Sequence, residues 1–222
     1  MPRVRAPLTS NAPTPVARRT RRRNGYFRNA GELDAATIAL VAKLLGEYGI
    51  DPGYVFATGM SNGAFMTNRL ACDRADVFAA IAPVSGILGV NVACAPSRPV
   101  AVMETHDTAD PIVPFGGPMT GRGGSSDIVA ASAMAQRWRE LDGCQEPPTE
   151  DVLPSAGDGT DVHRLAAAAC SGGSAVVFVQ VDGGGHTWPG GVQYLPTAII
   201  GPTTHAFDAS EASWQFFAEH MR

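Results

Sequence analysis

A mostly parallel α/β sheet flanked by helices is the fold class this sequence predicts, and three observations predict it. Short apolar, β-branched runs alternate along the chain with segments of helical spacing. The turn "GMSNG" (59–63), a Gly-x-Ser-x-Gly pattern, falls between one such run and one such segment. Late in the chain, a strong strand pattern runs into three glycines and a histidine, "VVFVQVDGGGH" (176–186).

The elements follow in order. From Glu32 to Tyr48, Ile38, Val41, Leu45 and Tyr48 repeat at helical spacing with Leu44 beside them, and Gly49 supplies a stop. After Asp51-Pro52-Gly53, "YVFAT" (54–58) reads as a buried strand. Beyond the Ser61 turn, Phe65, Met66 and Leu70 share a predicted helix face. "VFAAIAPVSG" (77–86) and "RPVAVMETH" (98–106) read as two more strands. Asp127 is placed to cap a helix carrying Ile128, Met134, Trp138 and Leu141 that ends before Gly143. "DVHRLAAAAC" and "AVVFVQVDGGG" read as a strand pair joined through Ser171-Gly172-Gly173. Asp208 and Glu211 make a capping box for a last helix with Trp214 and Phe217 inward. No internal repeat is visible, and the glycine-rich loop 116–126 lacks a phosphate-loop lysine.

With 222 residues, 45% apolar and 17% charged, the chain reads as a globular protein with one substantial core. No run approaches the roughly 18 consecutive apolar residues of a membrane-spanning helix, so no membrane partner is expected. The net charge of -4 conceals an asymmetry. Residues 1–28 hold eight arginines and no acid, while nine basic residues face all 21 acids in the remainder, which therefore carries -12. Residues 1–31 are read as a disordered basic arm or a segment foreign to the fold, and 32–222 as the catalytic domain. The run "ARRTRRR" has no apolar segment after it, so it is not read as a signal peptide. Contact of this arm with nucleic acid is the weaker reading, and no nucleic-acid partner is expected. Cys72, Cys94, Cys144 and Cys170 lack CxxC spacing, which argues against zinc and leaves two disulfides or four buried thiols.

The chemistry centres on Ser61. A serine hydroxyl needs a base to take its proton, and a buried carboxylate to orient that base. In an α/β-hydrolase fold the three come in the order Ser, Asp or Glu, His, each after a strand. His186 satisfies that order. His106 precedes the available acids, His163 lies within a strand pattern, His205 lies in a loop, and His220 lies in the last turn before the C-terminus. Asp110 and Asp107 both occupy the loop "HDTADPIVP" and both suit the acid role. A His106, Asp107 and Asp110 metal cluster lacks further ligands, so no metal is expected.

Three segments then carry a resemblance: "YGIDPGYVFATGMSNGAFMTNRLACDRADVFAAIAPVSG", "HDTADPIVPFGG" and "GGGHTWPGG". The chain from about Leu33 onward resembles the poly(3-hydroxybutyrate) depolymerase-like esterases, a group of α/β-hydrolases that includes feruloyl esterases. The resemblance implies a triad of Ser61, Asp110 and His186, and so favours Asp110 over Asp107. It implies an oxyanion-binding amide at Asn62, a pocket wall at Trp188, the pairings Cys72–Cys94 and Cys144–Cys170, no cofactor, and an extracellular protein. Ala64 stands where the family often has a second glycine. Asp107 replaces the glycine of the family's HGTAD motif and is expected to add a negative charge near the site.

The family also carries earlier strands and a His-Gly loop that supplies a second oxyanion amide. Residues 1–31 contain neither, so an N-terminally truncated α/β-hydrolase lacking the first strands is expected. The function expected is that of a serine carboxylic-ester hydrolase acting on a polyester, a feruloylated polysaccharide or a small ester. The alternative is a catalytically impaired homologue that acts at most as a binding module.

Overall fold

The structure, a computed structural model, describes residues 30–121 and 124–222. The reading of residues 1–29 as a basic arm lies outside them. Helix α1 (Ala30–Tyr48) opens the described chain, and strand β1 (Phe56–Met60) leads through Ser61 into α2 (Asn62–Asp73). Strands β2 (Ala80–Val84) and β3 (Ala101–Asp107) follow, then a two-stranded ribbon of β4 (Met119–Gly121) and β5 (Gly124–Ser126). Helix α3 (Ala131–Leu141), strands β6 (Thr149–Val152), β7 (Asp161–Ala167) and β8 (Val176–Asp182), the single turn α4 (Thr197–Ile200) and α5 (Ala209–Glu219) complete it.

Six strands make one sheet in the order β1-β2-β3-β8-β7-β6. The pairs β1–β2, β2–β3 and β3–β8 are parallel, whereas β8–β7 and β7–β6 are antiparallel. Every residue of β2 and β3 is buried, the signature of parallel strands covered on both faces. Side-chain alternation divides the core. Ile81 and Val102 point to one face, where Phe65 of α2 and Met134 and Trp138 of α3 cover them. Ala80, Ala82, Ala101 and Met103 point to the other, beneath Phe216 and Phe217 of α5. The Phe217 ring stacks on Phe56 of β1 at 4.7 Å between centroids. Ile38, Val41 and Leu45 of α1 pack on Val55, Leu70 and Phe78, but Tyr48, expected on that face, is 68% exposed.

Two helix readings need correction. Helix α3 starts at Ala131, with Ala130 and not Asp127 at its N-cap and no side-chain cap bond. Ile128 lies ahead of the helix, paired with Gly89 in an isolated bridge and buried in the core, so tertiary packing outweighs the local capping signal. In α5, Asp208 does cap the helix, accepting from the amides of Ser210 (2.7 Å) and Glu211 (3.2 Å). The Glu211 carboxylate accepts from Gln215 at 2.8 Å. Phe217 faces inward as expected and Phe216 joins it, but Trp214 is 63% exposed, because the stripe facing the sheet runs through 216 and 217 and leaves 214 outside.

The disulfides Cys72–Cys94 and Cys144–Cys170 form as the resemblance implied. The second ties the end of α3 to the turn between β7 and β8, and it closes a segment of 26 residues. Loop-closure entropy for such a segment is worth about 3 kcal/mol. Replacing Cys144 and Cys170 together by alanine is expected to lower the unfolding free energy by that order in equilibrium urea denaturation. An unchanged midpoint would mean that the bridge constrains nothing.

Candidate active site

Strands β1, β2, β3 and β8 run parallel, so their C-terminal ends share one edge of the sheet. Ser61 leaves β1 on that edge, and Asp110 and His186 lie in the loops that leave β3 and β8 there.

The Ser61 turn is sharp. Ser61 has φ 55° and ψ -117°, a left-handed conformation that a non-glycine residue adopts at a cost of about 1–3 kcal/mol. Its amide donates to the Val84 carbonyl at 2.9 Å, and its carbonyl accepts from the Phe65 amide at 3.0 Å. The Ser61 hydroxyl makes no capping bond. Gly59 explains the motif's first glycine: a methyl group there would come within 2.8 Å of the Gly63 backbone. Strand and helix can therefore approach only without a side chain at 59. Asn62 is the first residue of α2, where amides lack intrahelical partners and the helix dipole favours negative charge.

Behind the turn, Asn68 of α2 holds the assembly. Its amide nitrogen donates to the carbonyls of Ala64 (3.2 Å) and Gly86 (3.0 Å) and to Glu104 (3.3 Å), and its oxygen accepts from the Trp138 indole at 2.9 Å. Burial pushes the Glu104 carboxyl well above the ordinary carboxylate range, against a smaller opposing effect of the Asn68 hydrogen bond, and so favours its neutral form.

Across the edge, His186 Nδ1 lies 2.7 Å from Asp110 Oδ2. The histidine side chain is 6% exposed and the carboxylate fully buried. Asp110 Oδ1 accepts from the amides of Ile112 and Val113, each at 2.8 Å, which fixes the carboxylate plane. Nδ1 therefore carries the proton in neutral His186, and Nε2 is left with its lone pair as the basic nitrogen. Tyr194 donates its hydroxyl to the His186 carbonyl at 2.8 Å. The acid loop and histidine loop are tied by Thr108 N to Val181 O (2.9 Å), Ala109 N to Gly184 O (3.0 Å) and Gly183 N to Thr108 Oγ1 (3.0 Å).

His106, passed over as a base, is fully buried and 2.9 Å from the Val113 carbonyl through Nε2. Burial lowers its proton affinity, so it serves as a neutral donor that pins the acid loop. Burial first, and then Asp110, push the Asp107 carboxyl well above the ordinary range, which favours its protonated form over the negative charge expected there. The Trp188 indole donates to Ser210 Oγ at 3.1 Å, linking the histidine loop to the start of α5. Tyr194, His106 and Ser85, whose hydroxyl meets Asp107 at 3.4 Å, were not anticipated; only their closeness in sequence to the three motifs signalled them. Among the described residues no group of three or more His, Cys, Asp or Glu could hold a metal ion. A groove of about 450 Å³ lies on the opposite face of the sheet, between α5 and strands β3, β8 and β7, and is lined by neither Asp110 nor His186.

No protein-family model matches the chain. Over 188 residues the sequence is 32% identical to a putative esterase, NocK, of Nocardia uniformis subsp. tsuyamanensis, covering 80% of this chain and 55% of that protein. It is 32% identical over 195 residues to a probable feruloyl esterase C of Aspergillus terreus, covering 87% of this chain and 60% of that one. Feruloyl esterase C of Emericella nidulans is 30% identical over 194 residues, with the same coverage of 87% and 60%. The chain is an esterase homologue. Its fold is shared with an acetyl xylan esterase from Aspergillus awamori, at TM-score 0.53 and 16% identity over 84% of this chain and 67% of that one. The esterase homologue thus has the α/β-hydrolase fold, and it spans little more than half the length of the curated relatives it matches.

Proposed function

We propose that this protein is a serine carboxylic-ester hydrolase. The observation that carries the reading is the buried 2.7 Å contact between His186 and Asp110, set on the same sheet edge as the strained Ser61 turn. In the proposed cycle Ser61 Oγ attacks the ester carbonyl carbon while His186 Nε2 takes the hydroxyl proton. Asp110 holds His186 through Nδ1 and stabilises the imidazolium. The Asn62 amide receives the developing oxyanion. His186 then passes its proton to the departing alcohol, leaving Ser61 acylated. Water, deprotonated by His186, attacks the acyl carbon, and Ser61 leaves with its proton restored. Every step uses the chain's own groups, and no cofactor is required.

The substrate proposed is a feruloyl ester of a polysaccharide, which the names of the fungal relatives favour; a hydroxyalkanoate polyester is the other member of the resemblance. Trp188, beside His186 in the loop, is proposed as a wall for the acyl or aromatic group. Two disulfides support secretion into an oxidising compartment. Among the described residues no helix is long and apolar enough to cross a membrane. A second reading, binding without turnover, is favoured by one observation: among the described residues no hydrogen bond joins the Ser61 hydroxyl to His186. Such bonds often tighten only when substrate is bound.

A fluorophosphonate probe tests the choice, because it phosphonylates only a serine whose proton is removed. The probe is expected to add to Ser61, located by peptide mass mapping, and to abolish p-nitrophenyl acetate hydrolysis in proportion. Hydrolysis that persists with Ser61 fully labelled would overturn the proposal.

A further inference from the structure

Asp107 closes β3 three residues before Asp110, and the proposed cycle does not use it. It is fully buried. Oδ2 lies 3.4 Å from the Ser85 hydroxyl, and Oδ1 has no hydrogen-bond partner. Oδ1 instead lies against Gly184, where a methyl group would come within 2.1 Å of it. Ser85 is itself buried and strained at φ 51°, and its amide donates to the Thr105 carbonyl at 2.9 Å. The residue before it, Val84, accepts the Ser61 amide. One carboxyl group therefore touches the end of β2 next to the residue that holds Ser61, and touches the β8 loop two residues before His186.

We propose that Asp107 is a positioning residue: its carboxyl group, wedged between Ser85 and Gly184, sets the spacing between the Ser61 turn and the His186 loop. The inference rests on the esterase reading above. Ala109, Gly184 and Thr108 fasten the two loops to each other, and among the described residues Asp107 is the one whose side chain reaches from them to the end of β2. The wedge holds as a neutral acid. A carboxylate there would be dry, with one hydroxyl and no cation to meet it. The charged group that acts on it is Asp110, in the loop after its own strand, with His106 next to it in sequence; among the described residues the end of β2 offers the Ser85 hydroxyl. Burial and the nearby Asp110 charge both favour the protonated form. As the pH rises through the elevated value, the carboxyl ionises, repels Asp110 and draws water into the wedge. The His186 loop then loosens on the alkaline side.

The test compares the full-length wild type with Asp107→Asn and Asp107→Gly. One readout is the pH profile of p-nitrophenyl acetate hydrolysis. The other is the low-field proton resonance of the His186–Asp110 hydrogen bond, which needs no turnover. Wild type is expected to lose rate and resonance together at alkaline pH. Asp107→Asn fills the same space but cannot ionise, and it should retain both to a pH about one unit higher. Asp107→Gly should lower kcat about 10-fold with KM unchanged, and weaken the resonance at every pH. A resonance and an alkaline limb identical in wild type and Asp107→Asn would overturn the proposal. If no form hydrolyses the ester, the esterase reading falls, and the pH dependence of the resonance alone decides the positioning role.

Discussion

Ser61→Ala is expected to lower kcat for p-nitrophenyl acetate by on the order of 10⁶-fold, while the protein folds as before. The magnitude follows from the division of labour at the sheet edge. Without the hydroxyl no acyl-enzyme forms, and His186 and Asp110, however well oriented, have no nucleophile to serve. The fold should not notice the change, because the hydroxyl makes no capping bond and the turn is held by backbone contacts to Val84 and Phe65. Ser61→Gly sharpens the point. Glycine adopts φ 55° without strain, so this variant should lose activity as completely yet gain about 1 kcal/mol in stability. A Ser61→Ala protein within tenfold of the wild-type rate would remove Ser61 from the mechanism. A Ser61→Gly protein less stable than wild type would show that the turn stores no strain.

That strain is positioned by the strands behind it. Gly59 allows α2 to fall back against β1, Asn68 fastens α2 to Gly86 and Trp138, and β1, which carries the turn, pairs with the fully buried β2 beside β3, which leads into the acid loop. The side chains proposed to move protons thereby sit in a turn and short loops that leave rigid strands.

Much of this arrangement was legible in the sequence because parallel buried strands write a one-dimensional signal. β1, β3 and β8 read as strands, and the turns and loops that follow them carry the candidate site residues within short motifs. Asp110, not Asp107, meeting His186 is a matter of three residues in one loop, and residue types alone left it open; the backbone amides of Ile112 and Val113 single it out in space. What stayed hidden depended on contacts distant in sequence. The start of α3 shifted because Ile128 is claimed by Gly89, some 40 residues away in sequence. Trp214 faces outward because Phe216 and Phe217 fit the sheet that α5 covers. The burial of Asp107, which pushes its carboxyl above the ordinary range, could not be read from a string in which it looks like any exposed acid.

Asp110→Asn is expected to cut kcat by on the order of 10⁴-fold with little loss of stability. Asparagine can keep its oxygen on the amides of Ile112 and Val113, which in the native protein donate to Asp110 Oδ1 at 2.8 Å. Its nitrogen then faces His186 Nδ1, where Oδ2 accepts at 2.7 Å in the native protein. Two donors cannot share that contact, so the imidazole must place its proton on Nε2, the nitrogen required to accept the proton from Ser61. Catalysis fails through the wrong tautomer, while the buried loop keeps its backbone bonds. The same change at Asp107 is a different experiment, since an amide there replaces an acid whose neutral form burial favours. Steady-state kinetics and urea denaturation of the two asparagine variants side by side separate the roles. A collapse of kcat in Asp107→Asn with Asp110→Asn near the wild-type rate would exchange the two carboxyls, and with them the assignment of the base's partner.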